Sequence, residues 1–346
     1  MNGTVILDEP SERESSEGGR GTLARLSKAV GSQNISLLVA LGLLVAIFGI
    51  QEPSLFFRPT NLVNIGSAVS LLMVLSLGQT LVILSGGLDI SIGANAGVAS
   101  VVAAWTMANV ANNALLGLAG ALVAGTLGGL INGLLVTYGR VNPVIATLGT
   151  LSAFSGLGYV IANGRDVPVF NNDFNSIGIG SIAGIPYTLA IAIVGVMLFA
   201  IAMRSTDIGR NVYALGGNPA AARLAGIATT RYKVAIYAVA GLTAGIAGII
   251  LAARTQNGVP SAGGSGLELE AITAVVLGGA ALVGGKGTIV STVFGVLLLG
   301  VLQNGLTILN VQSFYQDIAT GTLLVVAVMI QQFRGNLPVW RRRAGS

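Results

Sequence analysis

The stretch RSTDIGRNVYALGGNPAAARLAGIATTRYK, from Arg204 to Lys233, is the only long polar segment between the polar ends of the chain. It holds five of the eighteen Lys and Arg residues against one acid, Asp207, and the sequence on both sides of it is hydrophobic. A basic segment between apolar stretches is typical of a cytoplasmic loop in a membrane protein. We therefore interpret residues 204–233 as a cytoplasmic docking loop, with a solvated connector as the alternative.

The centre of this loop predicts a turn and a short helix. Residues 216–219 have the composition of a tight turn, with Asn218 as an N-cap and Pro219 at the first helical position, where its missing N–H costs nothing. Residues 220–224 then form a helix that ends at Gly226. Because so short a helix is not stable alone, it needs a partner surface.

The composition is that of an integral membrane protein. Of 346 residues, 53% are hydrophobic and only 9% are charged, with a mean hydropathy of +0.81. Fifty glycines favour helices that pack through small residues. The absence of Cys and His excludes disulfides, thiol chemistry, metal sites with His or Cys ligands and His acid–base catalysis. We expect no enzyme activity, no catalytic residue and no metal site, and we assign the net charge of +5 to membrane orientation, not to nucleic acid binding.

Apolar stretches near the ~20 residues that cross a bilayer recur along the chain. Ten are predicted, at residues 34–50, 62–84, 90–108, 114–137, 143–162, 185–203, 234–253, 268–284, 288–309 and 315–332. The third, fifth and eighth are short or rich in Gly, Asn and Ser, so re-entrant or broken helices are alternatives there. The predicted fold is an all-α polytopic membrane protein with about ten transmembrane helices.

Basic residues predict the orientation of these spans. With ten spans, fifteen of the eighteen Lys and Arg fall on one side, and only Arg58, Arg165 and Arg254 fall on the other. The positive-inside rule then places both termini in the cytoplasm. The predicted domains are a disordered cytoplasmic tail (1–33), a transmembrane domain (34–332) and a basic cytoplasmic tail (333–346).

An internal repeat is also predicted. INGLLVTYGRVNPVIATLGTL at 131–151 aligns without gaps on QNGLTILNVQSFYQDIATGTL at 303–323, and both contain Asn-Gly-Leu and Gly-Thr-Leu at matching places. Corresponding spans are five apart, an odd number, so the two halves would be inverted in the membrane, as in many transporters. Chance similarity between helices rich in Gly and Leu is the alternative.

Several motifs resemble those of one known family. In the loop they are TDIGR at 206–210, ALGGN at 214–218 and AARLAGI at 221–227. Outside it, SGGLDISIG at 85–93, IATLGT at 145–150 and the stretch from Glu268 to Gly287 agree as well. Over roughly residues 35–332 the chain resembles the membrane permeases of bacterial ABC importers of the ribose, xylose and arabinose class.

The resemblance implies a function, partners and a location. The chain would be the inner-membrane permease subunit that passes a monosaccharide, a pentose or hexose, to the cytoplasm. Its partners would be an ABC ATPase subunit, a periplasmic solute-binding protein, and a second permease copy or a paralogue. It would hold no cofactor, since ATP and Mg²⁺ belong to the ATPase. The segment 218–227 would be the coupling helix, and the residues implied in coupling are Gly209, Arg210, Gly216, Gly217, Asn218, Ala221, Ala222, Arg223, Leu224 and Gly226.

Two observations favour an external energy source. None of the thirteen Asp and Glu falls clearly at mid-span, where proton- or sodium-coupled carriers generally need an ionisable or coordinating group. The nearest match to a phosphate loop, AALVGGKG at 280–287, lacks both the first glycine and the Ser or Thr after the lysine. ATP hydrolysis is therefore expected on a separate subunit.

Candidate pathway residues begin with the SGGLDISIG segment. Asp89 is interpreted first as the cap of the following helix, with a carboxylate near the positive end of the helix dipole. The alternative is that Asp89 and Ser91 lie at an unwound point and gate the path or contact a hydroxylated substrate. The other polar candidates within the spans are Asn95, Asn132, Thr147 and Asn304. Because the spans hold few such polar side chains and few aromatics, we expect a wide path that binds the solute weakly.

Charged residues of the outside segments are candidates for docking the solute-binding protein, because charge pairs favour register and association rate. They are Arg165, Asp166, Asp173, Arg254, Glu268 and Glu270. An exposed face without a partner is the alternative. For the function itself, two alternatives stay open. One is a permease of the same superfamily for branched-chain amino acids, nucleosides or a signalling furanose, and the other is a channel or facilitator that works without ATP.

Overall fold

The computed structural model describes residues 32–335 and shows a protein made almost entirely of helices. Its long helices are α1 (Ser32–Gln51), α3 (Pro59–Leu84), α4 (Ile92–Asn109), α5 (Ala114–Thr137), α6 (Pro143–Ile161), α8 (Tyr187–Ser205), α11 (Thr229–Thr255), α13 (Ile289–Ile308) and α14 (Ser313–Gly335). Its short helices are α2 (Pro53–Phe56), α7 (Asn172–Ile179), α9 (Asp207–Gly217), α10 (Pro219–Leu224), the 3-10 helix Pro260–Gly264 and α12 (Leu267–Leu277). The predicted tails, 1–33 and 333–346, lie outside the described residues except where α1 and α14 reach into them.

Four strands of two residues each complete the fold. They are β1 (Val167–Pro168), β2 (Ser181–Ile182), β3 (Ile185–Pro186) and β4 (Asn257–Gly258). β1 pairs antiparallel with β4, and β2 pairs antiparallel with β3. Both strand pairs lie in the segments that connect helices.

Seven of the described helices are long and apolar enough to cross a membrane, against ten predicted spans. They are α1, α3, α5, α6, α8, α11 and α13. The predicted span 143–162, where a re-entrant or broken helix was the alternative, is the continuous helix α6. The predicted span 268–284 is wrong as a single helix, since α12 ends at Leu277. Its 11 residues cover about 16 Å at about 1.5 Å per residue, roughly half of a bilayer core.

The centre of the protein is the pair α3 and α11, which are the most buried of the seven. Helix α5 packs against α11 through glycines of both helices. A β-carbon on Gly129 would overlap the carbonyl oxygen of Tyr237, and one on Gly241 would overlap that of Gly125. The backbones can approach this closely only because these positions lack side chains, as the glycine content predicted.

Helix α11 defines the two ends of the molecule. Its 27 residues make it about 40 Å long, since an α-helix rises about 1.5 Å per residue. Helices α9 and α10 precede it at one end, which we call the loop-helix end. Strand β4 follows it at the other, which we call the far end. After β4 the chain turns back into the protein. Gly258 packs against Ala104 near the C-terminal end of α4, and Glu268 packs against Gly93 near its N-terminal end.

The helix order repeats along the chain. The displacement that aligns residues 131–151 on 303–323 also places α3 on α11 to within two residues at each end. It places α4 on the shorter α12, and α5 on α13. Packing corresponds as well, because α5 packs against α11 while α13 packs against α3. This correspondence is what a two-fold internal repeat requires; its inversion in the membrane stays a prediction.

Candidate functional site

The loop 204–233 folds into two consecutive helices, α9 and α10. The predicted tight turn at Gly216 and Gly217 is wrong, because both glycines form the last residues of α9. The predicted cap is confirmed: the Asn218 side chain accepts hydrogen bonds from the backbone N–H of Ala220 and Ala221 at 3.1 and 3.0 Å. The predicted helix end is confirmed too, since Gly226 has φ +84°.

Helix α10 turns almost all of its side chains to solvent. Among its residues only Ala222 is buried, while Ala221 and Arg223 are exposed. Leu224 is 91% exposed, which leaves nearly the whole apolar side chain without contacts inside this chain. The exposed face of α10 therefore carries one large apolar side chain beside the basic Arg223, on a helix whose start is capped.

Helix α9 packs against the membrane helices with one face. It buries Val212 and Leu215, whereas Arg210 lies on the exposed face and pairs with Asp207. The Tyr213 hydroxyl donates a hydrogen bond to the carbonyl oxygen of Gly287 at 2.9 Å. Burial raises the pKa of Tyr213 above its ordinary value, so the hydroxyl stays a donor at neutral pH.

The C-terminal end of α9 is held in a contact of glycines that we call the glycine junction: Gly86, Gly216, Gly284 and Gly285. A β-carbon on Gly216 would overlap the carbonyl oxygen of Leu84 at the end of α3. The same carbonyl accepts a hydrogen bond from the N–H of Gly285 at 2.9 Å. Gly86, Gly284 and Gly285 all have positive φ, between +73° and +92°, which favours glycine. The junction thus ties α9 to α3 and to the α12–α13 connection.

A buried polar network lies a few residues beyond Gly86, at Asp89, Ser91, Asn132 and Thr150. Asp89 Oδ1 accepts hydrogen bonds from the backbone N–H and the hydroxyl of Ser91, at 2.9 and 2.7 Å. Asn132 Nδ2 donates to Ser91 Oγ at 2.7 Å and lies 3.4 Å from Asp89 Oδ1. Thr150 Oγ1 donates to Asn132 Oδ1 at 2.7 Å. The network joins the turn before α4 to α5 and α6.

Two further side chains hold the same turn. Tyr237 of α11 donates to the carbonyl oxygen of Leu88 at 3.3 Å, and Thr147 lies 3.4 Å from the same oxygen. One helical turn into α4, Asn95 Nδ2 donates to the carbonyl oxygen of Gly125 at 2.8 Å. The structure therefore brings five of the six pathway candidates together, and it adds Thr150 and Tyr237. Nothing in the sequence marked Thr150 or Tyr237 as a site residue, except that Thr150 follows Thr147 by one helical turn.

The sixth pathway candidate, Asn304, lies elsewhere. Its Nδ2 donates to Asn61 Oδ1 at 2.8 Å, and Asn61 Nδ2 donates back at 3.1 Å. Asn61 also donates to the carbonyl oxygen of Phe56. Asn304 thus joins α13 to the start of α3, and it makes no contact with the polar network.

The docking candidates divide between the surface and the interior. Arg165, Asp166 and Asp173 are exposed at the far end. Arg254 is exposed as well, and its Nη1 donates to the carbonyl oxygen of Ser67 at 2.9 Å. Glu268 is only 7% exposed, so its predicted place on an outside surface is wrong. The cause is the inward turn of the chain after β4, which carries Glu268 and Glu270 below the far-end surface.

No group of three or more acidic residues that could hold a metal ion occurs among the described residues.

The chain is similar to known transport proteins along most of its length. Residues 61–330 match a protein family described as branched-chain amino acid transport system / permease component. The ribose import permease protein of Escherichia coli (strain K12) is 42% identical over 299 residues, which cover 85% of this chain and 92% of that protein. The ribose import permease protein of Bacillus subtilis (strain 168) is 39% identical over 306 residues, covering 87% and 93%.

The L-arabinose ABC transporter permease protein of Azospirillum brasilense is 37% identical over 281 residues, which cover 81% of this chain and 82% of that protein. No solved structure gives a significant match. The chain therefore belongs to the family of transport system permease components that residues 61–330 match.

Proposed function

We propose that this chain is the inner-membrane permease subunit of an ATP-driven importer for a monosaccharide, a pentose or hexose. The observation that carries the proposal is the similarity to ribose and arabinose permeases over more than four fifths of the chain and of each relative. The helix content and the seven apolar helices agree with a multi-pass transport protein.

The exposed helix α10 supports an energy source outside the chain. A capped helix with an apolar, solvent-exposed tip fits the contact with an ABC ATPase subunit, which would bind ATP and Mg²⁺. Closure of that subunit would move α9 and α10, and the glycine junction would pass the movement to α3 and to the turn that carries Asp89. A binding protein would deliver the sugar at the far end, where Arg165, Asp166 and Asp173 are exposed. A second permease copy or a paralogue would complete the pathway.

The second candidate cargo is a branched-chain amino acid, because the family description names that class. The two cargoes differ in their charged groups, since a branched-chain amino acid is a zwitterion with a carboxylate and an ammonium group, whereas a monosaccharide has neither. The relatives named for sugars, which align along nearly their whole length, favour the monosaccharide.

Uptake of labelled solutes tests the proposed function. In cells whose own importers are deleted, producing this chain with its ATPase and binding protein should give ATP-dependent uptake of D-ribose or L-arabinose, and none of L-leucine. Uptake of L-leucine instead would transfer the assignment to the second candidate. Sugar uptake by the chain alone in vesicles, without ATPase, would overturn the importer assignment in favour of a facilitator.

Replacing Ala221 with tryptophan should prevent docking of the ATPase. Ala221 is exposed on α10, so a large side chain there leaves the fold intact but obstructs a surface that fits a partner's cleft. We expect the variant to lose co-purification of the ATPase and to lose uptake. The matched control is Ala111→Trp, also an exposed alanine but at the far end after α4, which should keep ATPase association. Normal association in Ala221→Trp would refute the coupling role of α10.

A further inference from the structure

A cavity of about 320 Å³ opens at the far end, between α3, α11, the connection that follows β4, and α13. Much of its lining is apolar, from residues of α3 and Leu251. Its polar side chains are Arg254, Ser261, Ser265, Glu270 and Gln303. This combination of an apolar wall with a few convergent polar groups, at the lower end of the roughly 300–1,000 Å³ range of ligand pockets, is typical of a small-molecule site.

A second cavity of about 270 Å³ adjoins the first, because Ser265 and Glu270 line both. It is also lined by Thr273, Asp317 and Thr320. Glu270 is half-buried, lies close to Gln303, and stands where the two cavities meet. The inward turn of the chain after β4 is what brings Glu270 here from the far-end surface.

The lining chemistry selects the class of ligand. Glu270 lines both cavities, Asp317 lines the second and Arg254 lines the first, so carboxyl groups outnumber guanidinium groups on the walls. Carboxyl groups and the Gln303 amide accept hydrogen bonds from hydroxyl groups, and the Arg254 guanidinium donates to hydroxyl oxygens, so these side chains suit a solute with many hydroxyl groups. Within residues 32–335 no aromatic side chain lines either cavity, so no ring stacks on the sugar and we expect a low affinity.

We propose that these adjoining cavities are the passage site for a neutral, polyhydroxylated solute, which Glu270, Gln303 and Arg254 hold by hydrogen bonds. This inference rests on the proposed function. It moves the solute contacts away from the polar network around Asp89, whose hydrogen-bonding groups are paired with one another inside the protein.

The absence of cysteine from the chain gives a direct test, because single cysteines can be introduced without removing any. Ser261→Cys and Ser265→Cys place a thiol on the cavity wall, and both serines are accessible. The whole importer carrying each variant is treated with a membrane-impermeant methanethiosulfonate reagent from the far-end side. The control is Ser181→Cys, an exposed serine of β2 outside both cavities.

D-ribose should slow the labelling of both cavity cysteines but not of Ser181→Cys. At a sugar concentration about twice the dissociation constant, mass action leaves about one third of the sites free, so labelling slows about threefold. Addition of Glu270→Leu should abolish the protection, whereas Glu270→Gln, which keeps an acceptor oxygen, should retain part of it. Equal protection by L-leucine, equal slowing of Ser181→Cys, or no protection at all would overturn the passage site.

Uptake measured in the same preparations separates this inference from the proposed function. D-ribose uptake without protection of the cavity cysteines would overturn only the passage site. Failure of the unsubstituted importer to take up any monosaccharide would overturn the proposed function, and the passage site with it.

Discussion

Replacing Gly216 with alanine is expected to lower coupled uptake about tenfold or more. The added methyl group would overlap the carbonyl oxygen of Leu84, a backbone atom, so the end of α9 must move away from α3. Overpacking of this kind costs about 1–3 kcal/mol. The cost falls on the conformation in which α9 contacts α3. A free-energy difference of that size between two conformations changes their population ratio about 5–150-fold. We therefore expect uptake to fall by about an order of magnitude or more, measured as initial rates at equal amounts of folded importer.

The neighbouring residue provides the matched comparison. A β-carbon on Gly217 would meet no atom within 4 Å, although Gly217 occupies the same helix end. Gly217→Ala should therefore keep folded yield and uptake close to those of the unsubstituted importer. If Gly216→Ala and Gly217→Ala behave alike, the junction does not transmit the movement of α9. If Gly216→Ala takes up sugar normally, the backbone contact with Leu84 has no role in coupling.

Replacing Asp89 with alanine is expected to destabilise the protein. Asp89 is 1% exposed, and its Oδ1 accepts two hydrogen bonds from Ser91 within 3 Å. Alanine leaves the Ser91 N–H and hydroxyl without this acceptor, and leaving a buried donor unsatisfied costs about 1–3 kcal/mol. We expect a lower thermal unfolding midpoint and a lower folded yield, both measured on the purified chain in detergent.

The conservative variant Asp89→Asn keeps an acceptor oxygen for Ser91 and should therefore preserve most of the stability and uptake. This pair distinguishes the two interpretations of Asp89. Loss of uptake in both variants with normal unfolding midpoints would show that the carboxylate acts in gating or substrate contact. Loss of stability in Asp89→Ala alone supports the structural role in the turn before α4.

Local features of the site could be predicted because neighbouring residues determine them. Asn218 followed by Pro219 is sufficient for a capped helix, since both the acceptor and the pre-set backbone angle lie within the motif. Gly226 ends this helix for the same local reason. The glycine pair before the cap was misjudged, because both glycines end α9, where Gly216 packs against Leu84 and Gly285 from distant parts of the chain.

Contacts distant in sequence could not be predicted from the residues alone. Glu268 and Glu270 were placed outside because they follow the end of an apolar span, but pairing of β1 with β4 and packing of Gly258 on α4 turn the chain inwards. Thr150 of α6 donates to Asn132, and Tyr237 of α11 donates to the carbonyl oxygen of Leu88 in the Asp89 turn. Nothing in their own neighbourhoods predicts these partners.

The sequence by itself determined that this is a helical membrane protein, where most of its helices lie, and that one basic loop carries a short capped helix. Hydropathy, charge and capping act over a few neighbouring residues, so a linear pattern contains them. Only the tertiary structure decided that glycines from three segments meet at the end of α9, and that five predicted pathway residues are packed inside one region. The tertiary structure also decided that Glu270 faces a cavity. All three facts depend on which backbones approach one another closely, and the residues involved are far apart in the sequence.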